Sequence, residues 1–310
     1  MTTRRQRNLL KGQSVAEGLT AEGGEITAQQ ADWRSFFRVF FRHRLAAIGL
    51  LMVLAVFLFC FIGPLFYQTE QVKTDLFNQT KPPSSAHPLG TDSLGFDLLG
   101  RLMLGGQASL QVGLASAFLA TIFGSFWGAI AGYVGGVVDS IMMRIVDMFL
   151  AIPTLILLLV VAAMFRPNLL TMILIIASLS WLVPARLVRG EALKLREREY
   201  VRATRLMGGG GWRIVLRHIV PNSIGVIVVN ATFQVADAIL ILAVVSFLGL
   251  GLPPPAASWG GILSNGLNYL YSGYWWLIYP VGLAIVITVV SFNFIGDALR
   301  DSLDVRLKDR

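Results

Sequence analysis

Between Asp237 and Asp297 the chain runs 59 residues without a formal charge. Shorter charge-free stretches cover residues 45–69, 102–138, 148–165, 167–185 and 218–236. A helix crosses the hydrocarbon core of a bilayer in about 20 apolar residues at about 1.5 Å each. These stretches therefore predict six spans, near residues 45–66, 110–131, 141–164, 170–188, 224–247 and 275–295. Composition agrees: 14% of residues are charged and 55% hydrophobic, against about 25% charged in a soluble domain. A water-soluble globule would expose that apolar surplus as aggregating patches. The expected class is an all-α integral membrane protein with six transmembrane helices.

Arginine and lysine set the expected orientation. Of the 26 basic residues, 22 fall in the amino-terminal tail, around Arg144, between Arg186 and Arg217, and in the carboxyl tail. Only Lys73, Lys81, Arg101 and Arg166 fall on the other side. Both termini are thus expected in the cytoplasm. Topology accounts for the net charge of +8, so nucleic acid is not an expected partner. The expected organisation is a basic cytoplasmic tail (1–44), a membrane domain (45–298) with an external loop (67–105) and a cytoplasmic loop (190–222), and a cytoplasmic tail (299–310). A cleaved signal peptide is not expected, because the first 44 residues are polar. The tail to residue 32 has the composition of a poorly ordered segment, and residues 33–41 interleave aromatic and basic side chains in a way that suits the lipid headgroups.

The stretch between the fourth and fifth expected spans is too long and too ordered for a plain connection. Tyr200, Ala203, Thr204 and Met207 recur at helical spacing, with Arg198, Arg202 and Arg205 on other faces. Four glycines follow at 208–211, which a helix interior disfavours. Periodicity resumes with Trp212, Val215, Leu216 and Ile219, and Pro221 closes the unit. This predicts two short amphipathic helices joined at a glycine bend. Such a unit either anchors the bundle at the interface or docks into a partner, with arginines fixing its orientation.

Arg202-Ala203-Thr204, then Gly208, then His218-Ile219-Val220-Pro221 resembles the conserved cytoplasmic loop of permease subunits of binding-protein-dependent ABC importers. Further stretches resemble the dipeptide/oligopeptide/nickel branch, in its second permease type. They are His87-Pro88-Leu89-Gly90-Thr91-Asp92, Ala151-Ile152-Pro153, Ala185-Arg186-Leu187-Val188-Arg189-Gly190, Ser246-Phe247-Leu248-Gly249-Leu250-Gly251 with Ser258-Trp259-Gly260, and Phe292-Asn293 with Gly296-Asp297. The likeness covers residues 34 to 305. It departs at Arg202, where the generic loop has Glu, at Thr204, where it has Ala, and at Phe96, where relatives carry Arg.

The resemblance implies a second permease chain, two cytoplasmic ATPases that bind ATP and magnesium, an extracytoplasmic solute-binding protein, and a bacterial inner membrane around them. The solute would be a peptide or a similar small molecule. The coupling residues would be Arg202, Ala203, Thr204, Arg205, Leu206, Met207, Gly208, Trp212 and Pro221. Leu206 and Met207 would fill an ATPase cleft, and Arg202 and Arg205 would pair with its acidic rim. His87, Asp92 and Trp259 are the candidate contacts for the binding protein. The chain itself carries no G-x-x-x-x-G-K-[ST] phosphate loop and no nucleophile–base constellation, so neither catalysis nor a bound cofactor is expected. One cysteine, Cys60, and three histidines leave nothing for a disulfide or a metal centre.

Asp237 is the one carboxylate well inside an expected span. A charge at mid-bilayer costs about 2.5–3.5 kcal/mol on insertion scales. It should therefore line a pathway or be hydrogen-bonded between helices, near Gln234 or Asn230. Asp139, Arg144 and Asp147 are expected to hold the turn between spans two and three. Trp275, Trp276 and Tyr279 are expected as an interfacial belt. Gly124, Gly128 and Gly132 mark one helix face for close packing, in this chain or against the other permease. The uncharged segment 249–274 is expected to re-enter the membrane or lie on its surface. A secondary transporter or channel is the rival reading, but it would need ionisable residues along a pathway or an inverted repeat.

Overall fold

The computed structural model describes residues 44–165 and 168–308, with side chains to 303. The tail readings, including residues 33–41, and Arg166 lie outside the described residues. Among those described there are helices and one isolated antiparallel bridge, Thr91 to Asp97, but no strand.

Four helices are long and apolar enough to cross a membrane: α1 (Arg44–Phe66), α2 (Leu98–Val134), α9 (Ile224–Leu250) and the last, α11 (Tyr279–Lys308, entered through the turn Trp275–Leu277, with its span at Trp275–Leu303). Two further passages are bent pairs. The third span is α3 (Gly136–Leu150) plus α4 (Thr154–Met164), bent by 82°; the fourth is α5 (Leu169–Ser180) plus α6 (Leu182–Leu195), bent by 42°. Taken as one span each, these pairs bring the total to the expected six. The sharper bend falls on Ala151-Ile152-Pro153. Proline lacks an N–H and pushes the residue before it out of the helical region, and Pro153 has ψ 115.

After α6 come α7 (Glu199–Leu206) and α8 (Gly211–Ile214), the latter continuing through two short turns to Asn222. Between α9 and α11 lies α10 (Trp259–Leu267). It is a packed helix rather than a free loop, with Trp259, Gly260, Ile262 and Gly266 buried.

α2 begins at Leu98, within the expected loop 67–105 and ahead of the expected span start near 110. Arg101 had marked the boundary. It lies inside the first turns of the helix and is 4% exposed, its guanidinium held by Asp92 (3.6 Å), the Pro255 carbonyl (2.9 Å) and the Phe96 ring (4.5 Å). A charge paired in this way no longer ends a hydrophobic helix.

The core is continuous along α2. Towards its start, Cys60, Leu98, Leu102 and Leu110 pack with Ile239, Trp259 and Val281. Midway, Val112 meets Leu158, Met172, Ile176 and Leu242. At its far end Ala129 joins Val188, Ala192, Val201, Ile214 and Ile219. The glycine face of α2 lies against α6 of the same chain, which decides between the two packing readings. A Cβ on Gly124 or Gly128 would collide with the Trp181 or Ala185 carbonyl oxygen, and one on Gly132 would stand 2.8 Å from that of Arg189. α1 gains its place similarly, Gly49 lying against the Ser291 carbonyl of α11.

Candidate functional site

The glycine-bent unit folds as an elbow. α7 ends in a closed turn: Gly208 N–H donates to the Arg205 carbonyl and Gly209 N–H to that of Thr204. Gly208 takes φ +81, the left-handed conformation that helix ends reserve for glycine. A Cβ there would meet nothing within 4 Å, so the requirement is conformational rather than spatial.

The inner side of the elbow is anchored by apolar contact. Val201, Ile214 and Ile219 are fully buried, with Val215 beside them. The outer side presents Leu206 at 89%, Met207 at 80% and Trp212 at 60% exposure. Large apolar side chains grouped at a tip mark an interaction surface. Ala203 and Pro221 are exposed as well, and the Thr204 hydroxyl is turned back onto the Tyr200 carbonyl (2.8 Å).

The two arginines expected to reach an acidic rim are already occupied. Arg202 pairs with Glu197 at 2.6 Å, and the Arg205 guanidinium lies 5.1 Å above the Tyr133 ring. The apolar tip faces outward, and Arg202 and Arg205, both still exposed, fasten the elbow from its flanks. Tyr133 escaped the sequence reading, the only hint being an aromatic residue at the end of a long helix. It also backs Gly211, whose Cβ would stand 3.0 Å from the ring. Arg196 adds a further tie, donating to the Gly132 carbonyl at 3.1 Å. Glu197, hydrogen-bonded by Arg202 and then by Arg196, is held below the ordinary carboxylate value.

The acidic residues of α3 do not hold their own turn, as had been expected. Asp139 accepts two hydrogen bonds from Arg189 (2.6 and 2.7 Å), and Asp147 one from Arg186 (2.5 Å). Both partners lie on α6, so these pairs lock the third span to the fourth.

At the opposite end of α2, Asp97 gathers the segment before it. Its Oδ1 accepts from Gly100 N–H, capping the helix, while its Oδ2 accepts from the Tyr67 hydroxyl and from His87 Nδ1, each of the three at 2.9 Å. Burial, then the hydrogen bond to Asp97 and its charge, push the Tyr67 phenol up to about 12. Asp92 accepts from the Leu94 and Phe96 amides (2.9 Å each), and burial pushes its carboxyl above the ordinary value.

Of the three candidate contacts for a binding protein, only His87 reaches the surface. Asp92 is buried, and Trp259 is 1% exposed with its indole donating to the Leu102 carbonyl at 3.0 Å. Both shape this end of the molecule from within. The aromatic belt is also reduced: Trp275 and Tyr279 are exposed, but Trp276 turns inward against Tyr274. No group of three or more metal-ligating side chains occurs among the described residues. Asp237 is exposed on α9 and makes no hydrogen bond or ion pair among the described residues; the reading that tied it to Gln234 or Asn230 is not what the structure shows.

Comparison with known proteins matches this architecture. Residues 124–309 match the family "Binding-protein-dependent transport system inner membrane component". Residues 32–83 match the N-terminal TM domain of oligopeptide transport permease C. The chain is 40% identical over 276 residues to the oligopeptide transport system permease protein OppC of Bacillus subtilis, covering 89% of this chain and 90% of that one. It is 38% identical to the dipeptide transport system permease protein DppC of the same organism (86% and 83% covered) and to OppC of Haemophilus influenzae (90% and 89%). The chain therefore belongs to the inner-membrane components of binding-protein-dependent transport systems, a multi-pass permease of an ABC importer and not its ATP-hydrolysing enzyme.

Proposed function

We propose that this permease carries peptides inward, as one of two membrane subunits that enclose the pathway, and that its elbow couples passage to ATP hydrolysis. The peptide class comes from the relatives, whose names specify oligopeptides and dipeptides. The elbow lies on the cytoplasmic side with both chain termini, in accord with the distribution of basic residues. It seats on one of two ATPase subunits, which hold the ATP and magnesium. The end of α2 capped by Asp97, with His87 of the preceding segment bonded to it, faces outward and receives the solute-binding protein.

One observation carries this reading: Leu206, Met207 and Trp212 protrude from an elbow whose inner side is packed and tied to α2 and α6. Force applied at the tip is then delivered to the spans instead of being absorbed by a loose loop. Rigid-body displacement of packed helices is an established way to switch a molecule between two forms.

The test uses the reconstituted importer with its ATPases and binding protein. Met207→Asp places a charge in the contact and is expected to cut ATP-driven peptide uptake at least tenfold while the ATPases still hydrolyse ATP. Met207→Leu is expected to keep both. Normal coupled uptake by the Met207→Asp importer would sink the assignment.

A further inference from the structure

Asp237 stands halfway along the fifth span, with thirteen residues of Ile224–Leu250 on either side. Its neighbours Val235, Ala236, Ala238 and Ile239 are buried in the chain's own core, whereas Asp237 itself is exposed. Leu240, Val244 and Leu248 are exposed as well, at 41%, 38% and 54%. Steps of three, four and four residues put them with Asp237 on one stripe of the helix. The stripe runs from mid-membrane to the point where Gly249, at φ +85, breaks the helix. It is an apolar wall with a carboxylate at its inner end.

A carboxylate turned towards lipid at this depth carries the insertion cost already given, so protein or water must cover the stripe. Among the described residues no cation pairs with Asp237. A matching cation on another subunit would have to be stripped of water together with the carboxylate, which such a pair repays only with excellent geometry. A water-filled pathway leaves the carboxylate solvated, and a transport protein must have one. We propose that the Asp237 stripe lines the solute pathway, and that Asp237 receives the cationic group of the passing solute, the ammonium end of a peptide.

This rests on the peptide-permease reading and names the chemistry of its interior. Leu240, Val244 and Leu248 offer side-chain-tolerant apolar contact, and Asp237 offers one charge-assisted anchor that any peptide with a free amino end can use. A single anchor also suits a conduit, because passage requires that the solute leave as readily as it enters.

Cys60 is the only cysteine, so a Cys60→Ala background allows thiols to be placed at will. In the assembled importer, Leu240→Cys puts one beside Asp237. Two membrane-impermeant methanethiosulfonates, one cationic and one anionic, probe it with and without ATP. We expect both to react, the cationic reagent several-fold faster, and Asp237→Asn to abolish that preference. If the thiol reacts with neither reagent in either state, lipid or another subunit covers the stripe and the proposal is overturned. A cationic preference that survives Asp237→Asn overturns it too. Val244→Cys provides a second reporter should the first variant fold poorly. ATP-driven peptide uptake is measured on the same vesicles: normal uptake with an unreactive thiol refutes the stripe alone, whereas absent uptake by the unmodified importer refutes the peptide-permease reading.

Discussion

Glu197 shows how a surface ion pair can matter to shape without contributing much energy. Arg202 and Arg196 both bond its carboxylate, at 2.6 and 3.2 Å, and they join the end of α6 to α7. The Glu197 carboxyl lies below its ordinary value of 4.5, first through the Arg202 hydrogen bond. A carboxyl lowered in the folded state adds stability above its unfolded pKa and loses that contribution as pH falls through the folded value. The melting temperature of Glu197→Gln should therefore fall slightly below that of the unaltered protein at pH 7, with the gap closing as the pH falls through the lowered Glu197 value. A gap that persists in acid would mean that the carboxylate's charge is not what fastens the elbow. His87, Tyr67 and Asp97 show the same economy at the other end, where one buried carboxylate caps a helix and ties down two other residues.

At the scale of elements, close contact between α2 and α6 depends on missing side chains. Gly128→Val would drive its first carbon into the Ala185 carbonyl, and neither helix can yield because both are packed along their length. Overpacking of this kind costs about 1–3 kcal/mol. We expect a lower melting temperature in detergent and loss of membrane-inserted protein, whereas Gly190→Ala, which meets nothing within 4 Å, should be neutral. Equal melting of both variants would remove the glycine face from the account.

Those glycines were visible in the sequence because four-residue spacing is a pattern within one helix; their partner helix was not. The same limit explains the other differences. Charge-free runs announced the spans because that signal is local, but the expected third span ran straight through Pro153, where the structure bends by 82°. Arg101 hid the start of α2 because the groups that neutralise it, Asp92 and the Pro255 carbonyl, come from elsewhere in the fold. Asp139 found its partner fifty residues away on α6. Periodicity located the elbow and its glycine bend, but did not reveal that Arg205 stacks on an aromatic ring of α2.

On the scale of the whole molecule, that ring joins the elbow to α2 beside the apolar contact made by Ala129. Tyr133 receives Arg205 on its face and Gly211 at its edge. Tyr133→Phe keeps the aromatic face, and the cation above such a face is worth about 0.5–1 kcal/mol at exposed sites, so coupling should survive. Tyr133→Ala removes ring and packing together, and should lower ATP-driven uptake more than it lowers ATPase turnover. Equal loss of both activities, or none, would show that the elbow drives the membrane domain through its covalent connections alone.

α2 is 37 residues long, which at about 1.5 Å per residue makes it about 55 Å, more than the full thickness of a bilayer with its headgroups. It contains no proline and no break. Asp97 sits at one tip and Tyr133 near the other. An unbroken helix of that length has no joint in which a displacement could be lost, so movement at one tip is carried to the other. In the proposed function, a cargo delivered at one tip and a nucleotide spent near the other would both act on this one unbroken helix.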